Sequence, residues 1–394
     1  MKRSLLFLAL VGMALFAASS SQAATLIVDD TLILPCPGAT FNTIQAAVNV
    51  AAPGDTIKVC AGTYNEDVNI PTLLTGLTLR GAQSGNAINS RTFAGANEST
   101  VNGEIAIRAV SVRVDGFSLT HTAPGFATFA IIVKAAADGA LIINNIIDTV
   151  INPSVGNSTA QGIYLANDGG TDGPDNISIV SNRINNVKSD RSAKGILIGA
   201  NGETNPSQNV LIQGNSIENI TSVTRGAYGI SVASATPGVT GLRIRNNTID
   251  DLNGGGWAHA IGLEGDTPSV SVTDNSISDV VDLTPAAFNN AIAVFFESNP
   301  SFSTGRVNRN NFDRVEFGIA VDLALSGQPV DGKCNWWGNA SGPGPVGPGT
   351  GAKVSTRVTY APWLTSPAPC GKCGNNDNGH GDDDDHDDNG NHDN

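Results

Sequence analysis

The chain has 394 residues and a net charge of −14; it is 40% hydrophobic, only 15% charged, and holds 45 Gly. Low charge with abundant Gly, Asn, Ser and Thr points to a turn-rich all-β protein. Residues 1–23 contribute +2 and residues 370–394 contribute −7, so the body between them carries −9; an acidic body does not suggest nucleic acid, whose recognition needs a basic face.

Residues 1–23 have the form of an export signal. Lys2 and Arg3 supply the positive end, Leu5 to Ala18 the apolar run, and Ser21-Gln22-Ala23 a small-residue cleavage site. The run is too short to cross a bilayer comfortably, and no later segment resembles a membrane helix. An exported protein without a membrane span is expected. Residues 41–52 predict the one good helix: Phe41, Ile44 and Val48 share a face, Asn42 and Gln45 have capping-box spacing, and Pro53-Gly54 ends it. Thr56 to Cys60 and residues 63–68 then begin a first rung. Leu77 to Gly81 is the next strand, residues 82–99 are a polar excursion, and Val112 to Thr120 opens a regular array.

The array is a repeat. Asn145, Asn182, Asn215, Asn247, Asn275 and Asn310 each precede an Ile or Phe by two positions, at intervals of 37, 33, 32, 28 and 35 residues. A second marker, a small residue then Ile, occurs at Ala130-Ile131, Gly162-Ile163, Gly195-Ile196, Gly229-Ile230, Ala260-Ile261, Ala291-Ile292 and Gly318-Ile319. Each unit therefore holds three short strands with an Asn bend, and a period of this size means a stacked solenoid. The predicted fold is all-β: a single-stranded right-handed parallel β-helix with an N-terminal capping helix. Roughly ten rungs at ~4.8 Å make a coil roughly 50 Å long. The Asn file is expected to be structural, since Asn tolerates a left-handed bend and its amide can bond to the Asn of the next rung.

Domain boundaries follow: signal 1–23, β-helix 24–332, a Trp-containing cap 333–369, and a disordered Asp/Asn/His-rich tail 370–394. Trp336, Trp337 and Trp363 lie where the repeat ends and are expected to plug the coil rather than to stack sugars. Cys36 and Cys60 flank the helix and can pin it. Cys334 has two candidate partners, Cys370 and Cys373, and the odd count leaves one thiol over. Cys370 and Cys373 are too small a set for structural zinc.

With these segments in view, the chain resembles the secreted bacterial parallel β-helix repeat proteins of the pectin-lyase-like superfamily. Phe41-Asn-Thr-Ile-Gln-Ala-Ala-Val48, Pro53-Gly-Asp-Thr-Ile57 and Gly62-Thr-Tyr-Asn-Glu66 look like their entry segment. Asn335-Trp-Trp-Gly-Asn-Ala-Ser-Gly-Pro343 with Tyr360-Ala-Pro-Trp-Leu364 is similar to a terminal module of such proteins. The resemblance implies fold and export. The carboxylate motifs of pectinesterases, polygalacturonases and pectate lyases do not carry over, and Gly379-His380-Gly381 lies in the tail, outside the coil.

One column holds the candidate site. The residues two before each marker Ile are Phe129, Gln161, Lys194, Tyr228, His259, Asn290 and Phe317, and the outward positions beside them are Ile132, Tyr164, Leu197, Ser231, Gly262, Ala293 and Ala320. Lys194, Tyr228 and His259, with Trp257 and Glu264 nearby, combine a cation, aromatics, an imidazole and a carboxylate, a mixture suited to a sugar chain and to proton transfer. Asp168 to Asp175 is a candidate Ca²⁺ loop, with a Gly-rich turn the preferred alternative; no other cofactor is indicated. The leading expectation is a secreted or cell-surface, monomeric, polysaccharide-binding protein with no identifiable catalytic set. One alternative is a lyase, hydrolase or epimerase acting on an acidic polysaccharide, with Lys194 or His259 as base and Glu264 as partner or calcium ligand. The other is a structural or adhesive envelope protein.

Overall fold

The computed structural model describes residues 23–31, 36–167, 172–199, 205–233, 238–284, 291–299, 301–322, 324–369 and 373. Residues 1–22, Asp168, Asn290, Cys370 and residues 374–394 lie outside the described residues. The rest forms a parallel β-helix. Each turn supplies one strand to each of three sheets, as in Leu141–Ile143, Ile146–Ile151 and Thr159–Ala166. Sheet A runs over twelve strands from Thr25–Val28 to Val358–Thr359, sheet B over ten beginning at Gly62–Tyr64, and sheet C over eleven beginning at Val68–Ile70. Every strand-to-strand register is parallel, so residues one repeat apart become neighbours, such as Ile163 with Ile196 and Ile196 with Ile230.

Alternation along each strand sends one set of side chains inward. Ile142, Ile179, Ile212 and Ile244 stack under sheet A, Ile147, Ile184, Ile217 and Ile249 under sheet B, and Ile131, Ile163, Ile196 and Ile230 under sheet C, all fully buried. Each such side chain contributes about 1.5–3 kcal/mol. The small marker residue has a packing cause. A Cβ on Gly195 would lie 2.5 Å from Ile217 Cγ2, and one on Gly229 would lie 2.6 Å from Ile249 Cγ2. Sheet B's isoleucines occupy the space where a side chain would be.

The Asn file forms a hydrogen-bonded ladder. The Nδ2 of Asn182 donates to Asn215 Oδ1 at 3.0 Å and that of Asn215 to Asn247 Oδ1 at 3.0 Å, and the file continues past Asn310 to Asn335. The left-handed residue is not the ladder Asn, as expected from sequence, but the one before it: Ser181, Gly214, Asn246 and Asp274 have φ between 53° and 65°. The bend frees the Asn side chain to bond along the file.

Several boundaries differ from the sequence expectation. Thr25–Val28 is an additional strand, paired with Thr56–Val59. The helix spans only Ile44–Val48, because Phe41 is held extended by Asp29 N–H donating to its carbonyl at 3.0 Å. Its N-terminus is satisfied not by an Asn42–Gln45 box but by Thr43 and by Glu66, whose carboxylate accepts from the Ile44 and Gln45 amides at 2.7 and 2.9 Å. Strands of sheet C begin upstream of the marker Ile. At the sixth marker the register corrects the sequence pattern by two residues: Ile261 pairs with Val294, so Ile292, not Asn290, follows His259, and Phe295, not Ala293, follows Gly262. Beyond the array, Gly351–Val354 and Val358–Thr359 are separate strands, the first in sheet C and the second in sheet A. Trp337 is fully buried against Phe312, with ring centroids 5.4 Å apart, and Trp363 covers Gly342. Disulfides join Cys36 to Cys60 and Cys334 to Cys373.

Candidate functional site

The outer face of sheet C places Phe129, Gln161, Lys194, Tyr228 and His259 in one line, each in register with the next. Tyr164 and Leu197 stand beside them, two outward positions along the strands. An outward face of a half-exposed sheet would ordinarily be wet, but several of these groups are buried: Gln161 is 3% exposed, Ser231 1% and His259 3%. A cleft of about 320 Å³ opens on this face, lined by Phe129, Gln161, Tyr164, Lys194, Ser231 and Glu264 among others.

The cleft has an apolar side and a polar side. Phe129 and Tyr164 stack at 5.2 Å between centroids. Opposite them, Lys194 Nζ donates to Ser192 Oγ at 2.8 Å and sits 5.1 Å from the centre of the Tyr228 ring. Burial holds the Lys194 ammonium below its usual range, with the Glu264 charge pulling the other way. Trp257 is anchored at the start of its strand, and its indole N–H donates to the Tyr228 hydroxyl at 2.6 Å. Burial, then the charge of Glu264 and a hydrogen bond to it, push the Tyr228 phenol well above its ordinary value. So Lys194, Tyr228, Trp257 and Glu264 form one connected group. His259 is apart from it in character: its ring lies edge-on to Tyr228 and Phe295, neither nitrogen has a hydrogen-bond partner among the described residues, and burial pushes it down to about 3.

Two polar atoms in the cleft lining are buried without a hydrogen-bond partner among the described residues: Gln161 Oε1 and Ser231 Oγ. Leaving a buried polar group unpaired costs about 1–3 kcal/mol, so each such group calls for an explanation. Both residues stood in the outward columns of the sequence, but nothing in an isolated Gln or Ser indicates that its neighbours exclude water.

A carboxylate file at the end of these strands was missed. Glu264, Glu297 and Asp322 occupy successive rungs, linked by Glu297 N–H to Leu263 O at 3.1 Å and Asp322 N–H to Phe296 O at 3.0 Å. Burial, then the charges of Glu264 and Asp322, push Glu297 up to about 7 from an ordinary 4.5. Because the folded value lies above the unfolded one, the stability tied to this proton is complete below about pH 4.5 and lost as pH rises through about 7. Glu297→Gln should match the parent in urea unfolding near pH 4 and exceed it near pH 8; a variant weaker than the parent near pH 8 would contradict this sign. The signal was present, since Glu297 lies one repeat beyond Glu264.

In the candidate calcium loop, Asp175 is occupied by the fold, accepting the Gln208 amide at 2.7 Å. Among the described residues no group of three or more His, Cys, Asp or Glu is arranged to hold a metal ion.

No protein-family model matches the sequence, and no curated protein does. Among solved structures, the chain is similar to the A-module of a mannuronan C-5 epimerase from Azotobacter vinelandii, with 16% identity over 74% of this chain and 94% of that one and a TM-score of 0.32. It is also similar to a family 28 exopolygalacturonase from Yersinia enterocolitica (12% identity, 87% and 77% covered, TM-score 0.33) and to a surface adhesin of Streptococcus pneumoniae (12%, 74% and 82%, TM-score 0.27). The architecture rests on the parallel strand registers of the chain itself.

Proposed function

We propose that this is an exported protein that binds a polysaccharide along the outer face of sheet C, with the cleft between Phe129 and Glu264 as its principal subsite. Two disulfides support export, since such bonds persist in oxidising compartments. The observation that carries the binding site is the pair of unpaired buried acceptors and donors, Gln161 and Ser231, in the wall of a cleft that also presents stacked aromatic rings. A sugar ring has an apolar face for the rings and hydroxyls for the polar atoms. A cleft of about 320 Å³ lies at the small end of the range for ligand sites, which suits a short stretch of glycan rather than a large cofactor. Lys194 and Glu264 reach the ligand in this scheme, while Tyr228, Trp257 and His259 shape and brace the floor.

The test is a glycan array followed by calorimetry on the best ligand. Tyr164→Ala should weaken binding at least about tenfold, equivalent to about 1.4 kcal/mol, and Gln161→Leu should do the same while leaving the fold intact by circular dichroism. Absence of retention on any glycan, or full affinity in both variants, would remove the proposal.

A further inference from the structure

Sheet A carries exposed guanidinium groups that form no ion pair among the described residues, although Asp331, held by Lys333 at 3.9 Å, stands in register beside Arg306. Arg243 and Arg245 share a strand, and Arg306 stands two rungs further on, in register with Arg243 through Ser271. All three are exposed. Among the described residues none of them forms an ion pair, and the one side-chain bond is from Arg245 Nε to Gln213 Oε1 at 2.9 Å. Arg309 and Lys333 flank the group, each already paired, at 2.6 Å to Asp274 and 3.9 Å to Asp331. In a chain of net charge −14 this is a local excess of positive charge.

A complementary segment lies in the same chain. Residues 374–394 contain eight Asp and neither Lys nor Arg. The segment leaves from Cys373, which is bonded to Cys334. Cys334 sits one rung beyond Arg309, whose N–H donates to its carbonyl at 2.9 Å. From there the rung of Arg243 is three steps back, about 14 Å at the strand spacing. The run Asp382 to Asp388 begins nine residues past Cys373, and nine residues can span up to about 30 Å. Charge, anchor point and reach therefore agree.

We propose that the Asp run at 382–388 docks in cis on the Arg243–Arg245–Arg306 face of sheet A and shields that face from other polyanions. Single exposed carboxylate–guanidinium pairs are weak and screened by salt. Tethering converts them into a useful contact by fixing a high local concentration of the partner. This proposal is independent of the glycan site, which lies on a different sheet.

The experiment uses the full chain with a fluorophore at its C-terminus, at low salt. The anisotropy of the parent should exceed that of Arg243→Gln/Arg245→Gln/Arg306→Gln, which should match the parent in about 0.5 M NaCl. A control losing the same charge elsewhere, Lys58→Gln/Lys188→Gln/Arg225→Gln, should behave as the parent. Replacing Asp382–Asp385, Asp387 and Asp388 by Asn should strengthen binding of dextran sulfate at least about tenfold, and the added arginine substitutions should abolish that gain. Equal anisotropy in parent and arginine variant, an equal fall in the control, or unchanged dextran sulfate affinity in the Asp→Asn chain would overturn the proposal.

Discussion

Asn215→Ala is expected to cost about 3–5 kcal/mol, enough to move the thermal transition far below that of the parent. Asn215 makes four buried bonds: its Nδ2 donates to Ile179 O at 2.9 Å and to Asn247 Oδ1 at 3.0 Å, and its Oδ1 accepts from the Asn182 amide at 2.9 Å and Asn182 Nδ2 at 3.0 Å. Alanine orphans groups on both neighbouring rungs, in a place water does not enter. Asn215→Asp tests the same bonds with near-identical volume: it keeps the acceptor and introduces a buried negative charge facing Asn247 Oδ1, so it too should be strongly destabilising. Urea unfolding followed by circular dichroism checks both, and a loss under about 1 kcal/mol in either would show that the ladder is not a principal source of stability.

Gly195→Val should be comparably harmful, for a steric reason. The added Cβ would fall 2.5 Å from Ile217 Cγ2 and 2.6 Å from the Gly229 carbonyl oxygen. One obstacle is a branch methyl near the backbone and the other is backbone itself, so neither can swing away. Overpacking ordinarily costs about 1–3 kcal/mol, and a clash with main chain places this substitution at or beyond the upper end. Gly256→Ala is the control, since a Cβ there would come no nearer than 3.4 Å, to the Thr224 carbonyl oxygen. The expected outcome is an insoluble or strongly destabilised Gly195→Val protein beside a normal Gly256→Ala protein; equal thermal midpoints would contradict the packing scheme.

Both substitutions fall on the two markers that made the architecture legible in the sequence. Asn and the small residue recur because one needs an amide at the bend and the other needs a side chain no larger than a methyl opposite sheet B. These are requirements on residue identity, so they leave a trace. The marker Ala291-Ile292 lies out of register because the true equivalent, Ala293-Val294, has Val where the pattern has Ile. Thr25–Val28 carries neither marker, and the helix was overextended because Phe41 completes an apolar face that the fold uses in an extended segment instead.

The candidate site was legible only as a line of residues. Periodicity placed Lys194, Tyr228 and His259 together, and the structure joins Trp257 and Glu264 to Tyr228. Burial was not legible. Whether Gln161 and His259 face water depends on what surrounds an outward position, and alternation along a strand carries no information about that. His259 shows the consequence: an imidazole that suggested proton transfer is enclosed and held neutral by desolvation, with no partner for either nitrogen among the described residues.

A glycan that completes the outer face of sheet C should be visible in a crystal structure of the full chain with the best array oligosaccharide bound. A sugar ring is expected against Tyr164, with a hydroxyl donating to Gln161 Oε1. Sugar density confined to another surface, such as the clefts beside Trp337 or Asn246, with Gln161 still unpaired, would contradict it.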